Sequence, residues 1–186
     1  MRVGLAAGHS EQTTGDTHWE WERCMRAVEV LYDLFDSQEE HDLVCIPFHL
    51  YEQPSDEALH AKIHFFNNDP VDIAIELHLN AGGGDYSTAI CWDTRDGRIS
   101  EKGSRLAAAI CHQMEAVYPW RCIGAQGQSY FGRKLAFLQR IQAPSVLVEP
   151  GFMSHPFQRA VFESDVGIIQ YATAVFNGVA RYGEGA

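Results

Sequence analysis

The chain has 186 residues, enough for one domain with a substantial buried core and too few for two of ordinary size. Its 46% hydrophobic and 21% charged residues exclude a disordered or low-complexity protein. With 25 acidic against 14 basic residues the formal charge is −11, and no run of Lys or Arg supplies the clustered positive charge that nucleic acid requires, so nucleic-acid binding is excluded.

The start, Met1-Arg-Val-Gly-Leu-Ala-Ala-Gly-His9, carries one positive charge and an apolar stretch too short for a signal peptide. It reads as a first strand, and the chain is expected to be made and kept in the cytoplasm until something releases it. No stretch approaches the ~18 apolar residues that span a bilayer, so no membrane insertion is expected. The cysteines Cys24, Cys45, Cys91, Cys111 and Cys122 are odd in number and lack CxxC spacing, the pattern of reduced thiols that fill a core.

After the first strand, a Thr/Gly/Asp loop over 13–17 leads into a helix whose apolar positions Cys24, Met25, Ala27, Val28, Leu31, Leu34 and Phe35 keep a period near 3.6. The polar run 36–41 ends it. Residues 43–46 predict a second strand, and Ser55 the cap of a helix reaching about Phe66. The nearly continuous apolar run 71–79 predicts a central parallel strand, and 88–92 a fourth strand. A helix over 100–118 follows, with Leu106, Ile110, Met114 and Val117 inward. Residues 124–133 read as a Gly-rich polar loop, 135–138 as a short strand, 145–149 as the last strand and 166–182 as a closing amphipathic helix. Strands alternating with helices of this length predict one α/β domain over the whole chain, with a mixed sheet and helices on both faces.

In such sheets functional groups gather beyond the carboxyl ends of the strands, and His9, His78 and Glu149 each stand at such an end. Catalytic zinc takes three protein ligands and keeps a fourth position for water. His9, Glu20 and His78 would supply them, with Glu149 left free as a base. Two glutamates compete for the carboxylate position in His18-Trp-Glu20-Trp-Glu22. Glu20 is preferred, because its spacing leaves Met25, Val28, Leu31 and Phe35 facing inward, while Glu22 favours the positive end of the helix. His18-Trp-Glu20 also matches half of a zinc-deaminase signature, but the Pro-Cys-x-x-Cys half is absent. Glu76 either orients a ligand from behind or faces solvent. His60 and His64 have metal-clamp spacing without a third ligand and read as a polar helix face, and Gly82-Gly-Gly84 reads as a turn beside the site.

Gly8-His9-Ser10, Trp19-Glu20 opening the first helix, Glu76-Leu-His-Leu-Asn-Ala81, Lys134-Leu135-x-x-Leu138 and Val146-Leu-Val-Glu149-x-x-Phe152 occur in that order over nearly the whole chain. In these the sequence resembles the zinc-dependent N-acetylmuramoyl-L-alanine amidases of the amidase-3 type, particularly the catalytic domains of bacteriophage endolysins. The resemblance implies a twisted six-stranded mixed sheet flanked by helices, one zinc held by His9, Glu20 and His78, and Glu149 as catalytic acid/base. It implies bacterial peptidoglycan as partner, with cleavage between the lactyl group of N-acetylmuramic acid and L-alanine. Asn80 and Lys134 are the expected substrate-binding residues, Lys134 toward a stem-peptide carboxylate, and Trp19, Trp21, Tyr130 and Phe131 are candidates to line a groove. Family members often carry Gly-Phe-x-x-Asn after the glutamate. Here Phe152 is followed by Met-Ser-His155, so a polar contact there is expected to differ. Two other readings fit the same residues: a related zinc amidohydrolase or carboxypeptidase for small substrates, and a catalytically silent wall-binding domain.

Overall fold

The computed structural model describes residues 1–38 and 41–185, so Glu39 and Glu40 of the helix-ending polar run lie outside the described residues. Strands β1 (Arg2–Ala7), β2 (Asp42–Cys45), β3 (Ile73–Leu77), β4 (Ser87–Cys91), β5 (Cys122–Gly127) and β6 (Ser145–Glu149) form one six-stranded sheet in the order β2-β1-β3-β6-β4-β5. β4 runs antiparallel to β6 and every other neighbouring pair is parallel, which makes the sheet mixed. The helices are α1 (Gly15–Asp36), α2 (Ser55–Asn68), α3 (Glu101–Val117), α4 (Ala136–Arg140), α5 (Pro156–Glu163) and α6 (Asp165–Glu184).

α6 packs against both α1 and α3, and these helices cover one face of the sheet, with α2 and α4 on the other. Covering on both faces is why β3 and β6 are buried along their whole length and read as continuous apolar runs. The core runs from Leu5, Ile75 and Val146 in the sheet to Leu31, Ile110 and Val175 in the helices. Two helices carry side-chain caps: Ser100 accepts from the Gly103 N–H at the start of α3, and Ser164 from the Gly167 N–H at the start of α6.

The sixth strand is not where the apolar pattern points. Of residues 135–138, Leu135 caps α4 and the rest lie in it, and the strand is β5, which overlaps the start of the stretch that reads as a polar loop. β5 is an edge strand, paired only with β4 and half-buried throughout, so it needs no apolar run. The short apolar segment around Phe137 is ambiguous by period, and burial of Phe137 and Leu138 suits a single helical turn as well as a strand. Helix α5 precedes the closing helix and begins with Pro156 at its first turn. At α2 the cap position is Pro54, and Ser55 is the first helical residue, with no side-chain cap bond.

Helices α6 and α3 approach closely at Gly178. A methyl group on Gly178 would lie 2.7 Å from both Cα and Cγ1 of Ile110, whereas one on Gly183 meets nothing closer than 3.8 Å. Gly178→Ala is expected to destabilise the protein by about 1–3 kcal/mol through overpacking, despite the ~1 kcal/mol by which alanine favours a helix interior over glycine. Gly183→Ala is expected to be neutral or stabilising. Denaturant titration of the two variants checks the order, and equal stability would remove the close α3–α6 approach from the account.

Candidate metal centre

β1, β3 and β6 are neighbours and end at one level, where Ala7 pairs with Leu77 and Leu77 with Val148. The next residues of β1 and β3 turn toward each other. The Gly8 N–H donates to Leu77 O at 2.7 Å, and His9 then adopts φ 60°, the one positive φ outside glycine among the described residues. Such a left-handed residue costs on the order of 1–3 kcal/mol unless its surroundings hold it, and it turns the His9 side chain off the strand line. A side chain on Gly8 is excluded, because its Cβ would lie 2.2–2.5 Å from three ring atoms of His78. Glycine is what lets the two histidine-bearing strand ends come together.

Glu20 lies in the second turn of α1, not its first, and is only 2% exposed. Its Oε2 is 3.0 Å from His9 Nε2, and its Oε1 is 3.0 Å from His78 Nδ1 and accepts from the Leu79 N–H at 2.9 Å. The imidazole rings stand nearly perpendicular, with centroids 5.0 Å apart. One donor atom from each of His9, Glu20 and His78 lies within 4.8 Å of the others. Two imidazoles and a carboxylate at that spacing fit one zinc ion with ~2.0–2.2 Å bonds and a further position for water. Glu22 is exposed and 3.9 Å from His18, so the helix brings Glu20, and not Glu22, to the histidines. His60 and His64 are exposed on α2, as a polar helix face would be.

These groups fix one another's charge. Burial opposes ionisation of Glu20, but its hydrogen bonds with His78 and His9 outweigh this and bring it down to about 2. Burial likewise opposes a charge on His78, and its bonds to Glu20 and Glu76 outweigh that and raise it to about 10. Tyr171 supports the pair of strand ends from below, with its hydroxyl 3.0 Å from Val148 O and 3.2 Å from His78 O.

Glu149 ends β6 and is 5% exposed. Asn80 Nδ2 donates to its Oε2 at 2.6 Å, and Arg133 Nη1 is 3.8 Å from its Oε1. Burial pushes the Glu149 carboxyl above its usual range, with His78 and Arg133 pulling it partly back. Asn80 is itself buried, and its Oδ1 accepts from the Ala81 N–H. Lys134 is exposed and lines an open cavity of about 480 Å³ with Trp92, Arg95 and Arg133. That loop is tied down by Asp93, which accepts from the Ser129 N–H at 2.8 Å.

The aromatic candidates divide. Trp21 is buried against Tyr51 and Phe48 and packs in the core, while Trp19 is half-buried under the Arg159 guanidinium at 4.3 Å. Tyr130 is 67% exposed beside Phe131. In the segment after Phe152, Ser154 Oγ accepts from the Gly82 N–H and donates to the Gly82 C=O. Sequence reasoning missed Lys62, Tyr51, Tyr171 and Arg133. For Lys62 a signal exists, since it stands on the inward stripe of α2 with Ala58, Ile63 and Phe66.

The family model described as N-acetylmuramoyl-L-alanine amidase (Amidase_3) matches residues 3–181. Among solved structures, an N-acetylmuramoyl-L-alanine amidase from Clostridium difficile 630 matches with a TM-score of 0.79 at 19% identity, covering 98% of this chain and 96% of that one. Ami1, an N-acetylmuramyl-L-alanine amidase from Mycobacterium smegmatis, gives 0.81 at 18% identity, with 100% and 98% covered. The catalytic domain of the CD27L endolysin, which targets Clostridia Difficile, gives 0.72 at 25% identity, with 97% of each chain covered. A comparison with curated proteins finds no match. Likeness at such identities carries the fold, while the family match carries the chemistry and agrees with the His/Glu/His cluster: the chain belongs to the N-acetylmuramoyl-L-alanine amidase family, zinc-dependent enzymes that cleave peptidoglycan.

Proposed function

We propose that His9, Glu20 and His78 hold a single zinc ion and that Glu149 carries the proton in hydrolysis of the amide between the lactyl group of N-acetylmuramic acid and L-alanine. The observation that supports this division of roles is that two buried carboxylates are driven in opposite directions, Glu20 down to about 2 and Glu149 above its usual range. A carboxylate held ionised between imidazoles suits a metal ligand. One pushed toward neutrality suits a group that takes a proton and returns it.

Bound zinc supplies Lewis acidity, polarising the scissile carbonyl and bringing the pKa of water to about 7. Glu149 takes a proton from the attacking water and delivers it to the departing alanine nitrogen. With the Asn80 amide fixed on Oε2, Oε1 is the oxygen that exchanges the proton. Asn80 therefore acts in this reading by orienting Glu149. Lys134, with Arg95 and Arg133 around one cavity of a chain whose net charge is −11, supports a subsite for an anionic group such as a stem-peptide carboxylate. Likeness to an endolysin catalytic domain at 25% identity supports a bacteriophage lytic role, in which the protein waits in the cytoplasm and reaches the wall once the membrane opens.

Glu149→Gln is expected to bind zinc normally and to lower amidase activity by roughly 10²–10⁴-fold, read as N-terminal L-alanine released from purified walls. Because folding raises the Glu149 pKa, its ionised form weakens the folded state above that pKa. The same variant should thus melt higher at neutral pH, and the gain should vanish as the pH falls below the unfolded carboxylate value. Full lytic activity in Glu149→Gln would refute the assigned role.

The acid limb of kcat/KM is expected above the usual carboxylate range. Arg133→Ala should move it to higher pH, since the guanidinium favours the ionised form. Lys134→Ala should raise KM and leave the limb in place, and a limb that ignores Arg133 argues against Glu149 as the titrating base. Expression in the bacterial cytoplasm should leave cells intact until the membrane is permeabilised, after which turbidity falls; lysis without permeabilisation contradicts the waiting role.

A further inference from the structure

Behind the ligand cluster lies a second layer of charge. Lys62 and Glu76 are 1% and 3% exposed. Lys62 Nζ donates to Glu76 Oε1 at 2.7 Å and to Ala7 O at 2.8 Å, and lies 5.7 Å over the Tyr51 ring. The other oxygen of Glu76, Oε2, is 3.3 Å from His78 Nε2, while His78 Nδ1 faces Glu20. The two nitrogens of His78 are thus divided between the metal cluster and a buried carboxylate.

A buried ion pair is poor evidence of stability, because desolvation of both charges offsets their attraction, and apolar residues of the same volume often serve as well. Lys62 occupies a position on α2 whose neighbours in the stripe are Ala58, Ile63 and Phe66. What distinguishes the pair is what it touches. Beyond Leu5, β1 has no partner in β2, so Ala7 N–H and C=O lack a strand partner on that side. Tyr51 Oη accepts from the Ala7 N–H at 2.8 Å and Lys62 donates to its carbonyl, immediately before Gly8 and His9.

We propose that Lys62 and Glu76 are positioning residues for the metal: Glu76 accepts the Nε2–H of His78 and fixes the tautomer that leaves Nδ1 free to bind the metal beside Glu20, and Lys62 aims Glu76 while anchoring the end of β1. A histidine ligand whose second nitrogen is bound by a carboxylate is held in orientation and made more basic. The proposal rests on the reading of His78 as a zinc ligand.

The test is zinc affinity of the full chain, measured by competition with a chelator of known affinity. Lys62→Met combined with Glu76→Leu removes both charges at once, so neither is left unpaired, and is expected to keep its melting temperature while binding zinc roughly 10- to 100-fold more weakly. Glu76→Gln, whose amide oxygen still accepts from Nε2–H, should recover most of that loss. Wild-type affinity in the folded double variant, with affinity lost in His78→Ala, overturns the positioning role alone. Unchanged affinity in His78→Ala overturns the ligand reading and this proposal with it. Imidazole ¹⁵N spectra of the zinc-loaded unaltered protein give a check independent of any variant's folding: Nε2 protonated and Nδ1 metal-bound is expected, and the reverse assignment refutes the proposal.

Discussion

The Glu20 carboxylate, buried beneath the ends of two strands, is the contact on which the rest of the site depends. It meets His9 through one oxygen and His78 through the other, and also takes the Leu79 N–H. An unpaired charge at that depth would be very costly. Its three partners come from β1, β3 and the residue after His78, so one side chain from α1 ties a helix to two neighbouring strands. The helix must then pack with that turn against the strand ends, and buried Cys24, Ala27, Val28 and Leu31 continue the same face of α1 down the sheet. Site geometry and core packing are therefore set by one helix orientation.

Charge is layered across the sheet in a definite order. Lys62 stands behind Glu76, Glu76 behind His78, and Glu20 beyond His78. Glu76 is brought to about 2 despite burial, with Lys62 and His78 outweighing it. Glu149, one strand over, bonds only an amide, with His78 and Arg133 acting on it from beyond hydrogen-bond reach, and burial prevails there. Two acidic environments a strand apart arise from whether a full positive charge lies within hydrogen-bond reach. Divergent carboxylates of this kind let one site both hold a cation and move a proton.

Residues that end apolar runs were the legible part. His9, His78 and Glu149 stand at the ends of strands whose burial on both faces writes itself into the sequence, and a parallel sheet gathers such ends at one edge. β5 was not legible, because an edge strand bonded on one side tolerates Gly124 at φ 78° and polar Gln126. Nor was α4, whose few apolar residues fit either period. Lys62 illustrates a different failure: its place on the inward stripe of α2 hints at burial, but only the fold reveals which groups enclose its amine, namely Glu76, Ala7 O and the Tyr51 ring. Partners at long sequence separation leave no local trace.

Gly8 and His9 show how two adjacent residues divide a steric problem. Position 8 must have no side chain, since the His78 ring fills the space, yet its backbone φ is ordinary. Position 9 adopts the left-handed conformation that glycine would take without strain, yet it must carry an imidazole. Reversing the two residues would satisfy the backbone and remove the ligand from the place Glu20 requires. The strain at His9 is tolerable because Glu20 binds its ring, Tyr51 and Lys62 hold Ala7 behind it, and Leu77 O holds Gly8. The same buried polar groups that orient His78 thus also hold the strained turn that delivers His9, which is why both histidines depend on side chains from α1, α2 and the segment between β2 and α2 rather than on the strands alone.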